Sequence, residues 1–217
     1  MKFLKTRYAA AALSLAAFAP ASYAAGQEVL NQGFDNVASL PGWSLVNHSV
    51  PAGNAWFQGN SGVFPSQSGT ADAYIGASFL GAAHGAGSVD NWLITPLLDL
   101  SGSTTLSFFT RAELAGYADQ LEVRFASGSD TGTDSFSTLL ATVGGTGYPT
   151  TWQEFSASVN VEGPGRFAFR YLGDAAALSY VGIDSVRVVT AVPEPSLYLM
   201  LAMGLGALAL MRRKLVD

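Results

Sequence analysis

The sequence predicts an all-β fold, in the form of a two-sheet jelly-roll β-sandwich. Three observations support this class. Apolar and polar residues alternate with a period of two in several runs of the central region, which is the pattern of a half-buried strand. Glycine- and proline-containing turns separate these runs, and no convincing helical period occurs between them. About ten short strands with regular turns are typical of a sandwich or jelly roll.

The strands are predicted where the alternation is clearest. These runs occupy residues 72–79, 104–112, 120–125, 152–159, 166–171 and 180–189. The turns between them fall at residues 40–42, 127–132, 144–149 and 162–165. The chain has 217 residues, and at about 100–200 residues per domain this length allows one domain plus flanking segments. We therefore assign residues 25–191 to a single sandwich domain.

The first 24 residues have the three-part organisation of a secretory signal peptide. Lys2, Lys5 and Arg7 form a basic head, residues 8–19 are apolar and rich in alanine, and small residues precede Ala24. We expect cleavage after Ala24 or one residue later. A buried N-terminal helix is the alternative, but the basic head disfavours it.

The last 26 residues, 192–217, also have a three-part organisation in the sequence. A stiff, extended spacer opens it, because each proline fixes φ and disfavours helix just before it. This spacer is the run Val192, Pro193, Glu194 and Pro195. An uncharged helix of residues 196–211 would then span about 24 Å, somewhat less than a bilayer core of about 30 Å. The basic stop after it is Arg212, Arg213 and Lys214. We predict a membrane-inserted helix here, with a buried core helix as the alternative.

The charges indicate an exported protein. Both apolar segments carry their basic residues on the outer flank of the chain, so the positive-inside rule places the region between them across the membrane. That region has five arginines, fourteen acidic residues and no lysine. Nucleic-acid binding is excluded as a leading function, since phosphate contacts need clustered lysine and arginine.

The C-terminal segment resembles the PEP-CTERM sorting signal of Gram-negative bacteria in its Pro-Glu-Pro motif, short hydrophobic helix and basic tail. The resemblance implies recognition by an exosortase-type membrane protease that cuts near the motif. It also implies a precursor anchored in the inner membrane and a mature protein at the cell surface or outside the cell. Proteins of this kind are usually linked to exopolysaccharide and biofilm.

A second resemblance covers most of the central domain. Its motifs occur in order at residues 33–35, 40–43, 90–96, 98–100 and 182–186. They look like the choice-of-anchor J domain, which is similar to the cleaved-adhesin and MAM-type jelly rolls. The resemblance implies a two-sheet jelly roll used for adhesion or carbohydrate contact outside the cell.

Few residues are suited to catalysis. His48 and His84 are the only histidines, and both lie in loop-like segments where solvent exposure is expected. The chain has no cysteine and no nucleophile-elbow, Walker, Rossmann or zinc-protease motif. We therefore predict no catalytic residues and a non-catalytic adhesion or glycan-binding module. The alternatives are an extracellular hydrolase that uses a carboxylate pair and a purely structural matrix protein.

Calcium is the metal that the composition favours, because only oxygen ligands are plentiful. Asp184 lies in an apolar run, and a carboxylate in a core-facing strand must be paired or coordinated. We predict a structural calcium site at Asp35, Asp90 and Asp184; related jelly rolls place the first and last strands side by side. The alternative is pairing with Arg111, Arg170 or backbone amides.

Aromatic residues give the remaining indication of a ligand. Tyr117 and Tyr148 lie in turn-like segments, where exposed rings could stack on sugars. Ordinary packing is the alternative for both, and we expect Trp92 and Phe108 to lie in the core. The predicted partners are thus the sorting protease and an extracellular polysaccharide or surface protein.

Overall fold

The computed structural model describes residues 26–145, 147–192 and 201–206. Within them the chain forms strands connected by turns and four single-turn 3-10 helices. The strands are β1 (Gln27–Gln32), β2 (Ser44–Asn47), β3 (Phe57–Gln58), β4 (Ile75–Ser78), β5 (Ser88–Ile94), β6 (Leu98–Leu100), β7 (Ser103–Ala112), β8 (Gln120–Ser127), β9 (Thr138–Gly144), β10 (Gln153–Asn160), β11 (Gly163–Asp174) and β12 (Tyr180–Thr190). The 3-10 helices are Phe79–Gly81, Ala83–Gly85, Thr133–Ser135 and Ala175–Ala177.

The strands form two antiparallel six-stranded sheets. The first sheet has the order β10-β7-β12-β4-β3, and β1 also pairs with β12. The second sheet has the order β2-β5-β11-β8-β9, and β6 also pairs with β11. The predicted all-β two-sheet sandwich is therefore confirmed. The first and last strands lie side by side, with Gln27 opposite Thr190.

The core lies between the two sheets and follows from the alternation in the sequence. In β7 every second residue, from Thr104 to Ala112, is buried, whereas the residues between them are partly exposed. Phe108 of the first sheet meets Phe169 of the second edge to face, with ring centroids 4.9 Å apart. Burying each such ring contributes about 1.5–3 kcal/mol, so this contact joins the sheets as well as filling the interior.

A separate aromatic cluster covers the face of β12 that points away from the core between the sheets. Its rings are those of Phe57, Phe64, Tyr74, Trp152 and Tyr180. The rings can lie against the strand because Gly182 has no side chain; a Cβ there would be 2.9 Å from Tyr74 and 3.0 Å from Trp152. The cluster attaches the segment before β4 to the first sheet.

The flanking segments lie largely outside the described residues. The predicted signal peptide lies there entirely, as do the Pro-Glu-Pro motif and the basic stop. Of the predicted sorting helix, residues 201–206 are described; they are helical and exposed. No helix within the described ranges combines the length and the hydrophobicity that a membrane crossing requires.

Candidate functional site

A polar cleft of about 490 Å³ lies on the outward face of the second sheet. We call it the second-sheet cleft. Its lining residues come from three neighbouring strands and two connecting segments. They are His48, Asp90, Trp92, Arg124, Thr133, Asp134, Phe136, Ser137 and Arg170.

The strand register places the charged residues of the cleft together. On β11, Phe169 and Tyr171 are buried in the core, so Arg170 between them faces outward. Arg170 lies opposite Trp92 on β5 and opposite Glu122 on β8. The three side chains therefore form one row across adjacent strands.

Arg170 is the centre of an ion-pair network. Its Nε donates to Oδ1 of Asp90 at 2.7 Å, and its Nη2 donates to Oδ2 at 3.1 Å. Its Nη1 lies 3.4 Å from Oε2 of Glu122, which also accepts from Nε of Arg124 at 2.7 Å. The pKa of Arg170 is raised, first by the hydrogen bond to Asp90, against the opposing effect of burial. Two-point pairs of this kind fix the orientation of both side chains.

Trp92 forms the apolar part of the cleft wall. Its side chain is only 5% exposed, the guanidinium carbon of Arg170 lies 5.0 Å from its ring centroid, and Phe136 packs on it. Its indole N–H is buried and has no hydrogen-bond partner among the described residues. A buried donor without a partner is costly, so a water molecule or ligand group that reached this N–H would stabilise the protein.

The segment 133–137 closes one side of the cleft. Arg124 donates from Nη1 to the backbone oxygen of Phe136 at 3.1 Å, which holds this segment against β8. Nε2 of His48 lies 3.1 Å from Oγ1 of Thr133. Asp134 lies exposed on the rim. The cleft thus has a rigid charged floor and a polar rim.

The three residues predicted as calcium ligands, Asp35, Asp90 and Asp184, have different surroundings in the structure. Asp90 is paired with Arg170, which is one of the alternatives considered from the sequence. Asp35 is exposed, and one of its carboxylate oxygens lies next to Gly69. No group of three histidine, aspartate or glutamate side chains in the described part of the chain is arranged to hold a metal ion. Calcium binding stays a prediction.

Asp184 is fully buried, and it receives hydrogen bonds from three backbone amides and from the hydroxyl of Ser185 at 3.3 Å. Its Oδ2 accepts from the amides of Gln67 and Ser68 at 2.9 and 3.1 Å, and its Oδ1 accepts from that of Ser185 at 2.5 Å. Burial raises the pKa of this carboxyl, and the amide hydrogen bonds oppose that effect. Asp184 therefore fixes the segment around residue 67 to a bulge in β12.

Tyr117 and Tyr148 line a second cleft of about 500 Å³. Tyr117 is 42% exposed, whereas Tyr148 is 7% exposed and its hydroxyl is 2.6 Å from that of Thr110. Burial raises the pKa of Tyr148. The ring of Tyr117 is therefore accessible to a ligand, whereas Tyr148 is packed in the interior of the domain. Their contact with glycan stays a prediction.

Sequence reasoning named Asp90 and its pairing with Arg170 as an alternative, but it did not identify the second-sheet cleft or the parts of Trp92, Glu122 and Arg124 in it. Trp92 is buried, as expected, but in a small cluster outside the main core. The available signal was the position of Arg124 and Arg170 between core residues of two strands, which predicts that they face outward. His48 and His84 are both exposed, as expected for loop histidines.

The comparisons agree with both resemblances. Residues 191–214 match the PEP-CTERM protein-sorting motif. The chain is similar in structure to the K1 Cleaved Adhesin domain of Lys-gingipain from Porphyromonas gingivalis, with 24% identity, a TM-score of 0.61 and coverage of 76% of this chain and 99% of that one. The K3 Cleaved Adhesin domain of the same protein gives 22% identity, a TM-score of 0.55 and coverage of 77% and 100%.

These likenesses establish the β-sandwich fold. No curated protein sequence matches the chain. The sorting motif indicates a membrane-anchored precursor that an exosortase processes for export.

Proposed function

We propose that the domain is a non-catalytic binding module of a cell-surface or matrix protein, and that it binds extracellular polysaccharide in the second-sheet cleft. The observation that carries this proposal is the combination of Arg170, Asp90 and Glu122 with the unpartnered indole N–H of Trp92. Adhesion within an exopolysaccharide or biofilm matrix is the role that fits an exported chain with such a cleft.

The chemistry of the cleft suits hydroxyl groups. Sugar hydroxyls both donate and accept, and the cleft presents guanidinium donors beside carboxylate acceptors. These side chains are held by one another and by backbone atoms, so binding would require little further ordering. A preorganised polar surface beside the apolar Trp92 and Phe136 is what a binding site for a polyhydroxylated ligand needs.

A hydrolase is the second candidate, because Asp90 lines the cleft and the buried Glu122 contacts the same Arg170. Glycoside hydrolysis requires one carboxyl group to donate a proton and the other to act as base or nucleophile. Here both carboxylates already accept hydrogen bonds from guanidinium groups, so their oxygens are engaged within the protein. A reducing-sugar assay separates the candidates: binding without product release supports a module, and release abolished by Asp90→Asn supports a hydrolase.

The binding proposal is tested by two matched substitutions. Trp92→Phe keeps an aromatic ring and removes the unpartnered N–H, whereas Trp152→Phe removes an N–H that donates to the backbone oxygen of Pro65 outside the cleft. We expect Trp92→Phe to weaken binding to an extracellular polysaccharide about 2–10-fold, in line with one hydrogen bond, and Trp152→Phe to leave it unchanged. Equal effects of the two substitutions would contradict the assignment of the cleft.

A further inference from the structure

We infer that the ligand of the second-sheet cleft is an uncharged polysaccharide, without carboxylate, sulfate or phosphate groups. This inference rests on the proposed function and adds the chemical class of the ligand. It follows from the ion pairs that the charged residues of the cleft already form within the protein.

The two guanidinium groups of the cleft are neutralised within the protein. Arg170 is held by both oxygens of Asp90 and lies near Glu122, and Arg124 is held by Glu122. An anionic sugar would have to compete with these carboxylates for the same donors. A hydroxyl group needs only the N–H groups that remain free, and its binding does not require any ion pair to break.

The donors of Arg124 are further limited by the backbone. One of its N–H groups is directed to Glu122 and another to the backbone oxygen of Phe136. Moving Arg124 toward an anion would release the segment that forms the cleft wall. The cleft therefore lacks a free cationic fork of the kind that binds carboxylate or phosphate at two points.

The remaining charges also oppose an anion. Asp134 lies on the rim and is exposed, and no hydrogen bond pairs it with a cation in the described ranges. The whole chain has a formal net charge of −5 at neutral pH. A polyanion would therefore be repelled as it approaches the cleft. The guanidinium groups that could bind it are already paired with carboxylates of the protein.

The test compares pairs of polymers that share a backbone, one uncharged and one anionic. The extracellular polysaccharide of the producing bacterium is prepared in its native form and after chemical reduction of its carboxyl groups to alcohols. Hydroxyethyl cellulose with carboxymethyl cellulose, and dextran with dextran sulfate, provide further pairs. Binding of the exported protein is measured by affinity electrophoresis at low salt, where repulsion between charges is least screened.

We expect each polymer that binds to do so at least about tenfold more strongly in its uncharged form. Equal or stronger binding of the charged form would overturn the inference and leave the proposed function standing. Absence of binding to every polymer, charged or uncharged, would overturn the proposed function itself.

A matched pair of variants locates the effect. Asp134→Asn removes the rim charge, and Asp99→Asn removes an exposed charge of β6 that does not line the cleft. Asp134→Asn should reduce the preference for the uncharged form by about twofold or more, whereas Asp99→Asn should not change it. If both variants change the preference equally, the discrimination does not arise in the cleft.

Discussion

Tyr171 donates its hydroxyl proton to Asp119 at 2.5 Å inside the domain. Asp119 is 1% exposed, and it also accepts from the backbone amide and the hydroxyl of Ser179 at 2.9 and 2.7 Å. One carboxylate thus joins the segment before β8 to β11 and to the segment before β12. No pattern in the sequence singles out this residue.

Replacing Asp119 by alanine should lower the free energy of unfolding by about 3 kcal/mol or more. The substitution leaves the hydroxyl of Tyr171 and the donors of Ser179 buried without a partner, at about 1–3 kcal/mol each. Asp119→Asn should cost less, because an amide oxygen can still accept. Urea denaturation measures the three proteins, with Asp130→Ala at an exposed turn as control. Equal losses for Asp119→Ala and the control would contradict this role.

Stability should fall steeply at alkaline pH. Burial is the main cause that raises the pKa of both Tyr148 and Tyr171 above the ordinary value. Unfolded tyrosine ionises near pH ~10, whereas the folded phenols keep their protons to higher pH. The contribution of the two buried phenols to the free energy of unfolding is therefore fully present below pH ~10. It decreases as the pH rises above that value, by about 1.4 kcal/mol per pH unit for each phenol.

Urea denaturation across that pH range measures the slope. Tyr148→Phe should reduce it by the contribution of one phenol, and phenolate absorbance should appear together with unfolding. Tyr117→Phe is the control, because this ring is exposed. Ionisation of Tyr148 before unfolding would show that the prediction is wrong.

Adding a methyl group at Gly182 should destabilise the domain by about 1–3 kcal/mol, the usual cost of overpacking. The new Cβ would be 2.9–3.0 Å from the rings of Phe64, Tyr74 and Trp152. Gly33→Ala is the control, since nothing lies within 4 Å of the Cβ position there. The midpoint of thermal unfolding measures both variants. A loss at Gly182 no greater than at Gly33 would indicate that the aromatic cluster can move away.

The calcium prediction has a thermal test. An ion held by Asp35 and Asp184 should raise the midpoint of thermal unfolding in millimolar Ca²⁺ above that in EDTA. Asp35→Asn should remove this increase without disturbing the amide hydrogen bonds of Asp184. Equal midpoints in the two buffers would contradict the prediction, and the hydrogen bonds from Gln67, Ser68 and Ser185 would then be sufficient to hold the buried Asp184.

The sequence predicted the fold because period-two alternation is a local property. The alternation of β7 and β11 specifies which side chains enter the core, and the two sheets follow from burying them. The sequence could not predict the cleft, because its residues meet only through pairing of distant strands. Arg170 is 80 residues from Asp90 and 48 from Glu122, and the order of strands brings them together.

The pairing of β1 with β12 also determines where the two ends of the domain lie. Gln27 lies opposite Thr190, and Ala191 still donates its amide proton to the backbone oxygens of Ser101 and Ser103. The start and the end of the domain, next to the predicted leader and the sorting motif, thus lie on neighbouring strands. Cuts after Ala24 and near the Pro-Glu-Pro motif would both fall outside the strands, so processing at the predicted sites would leave both sheets whole.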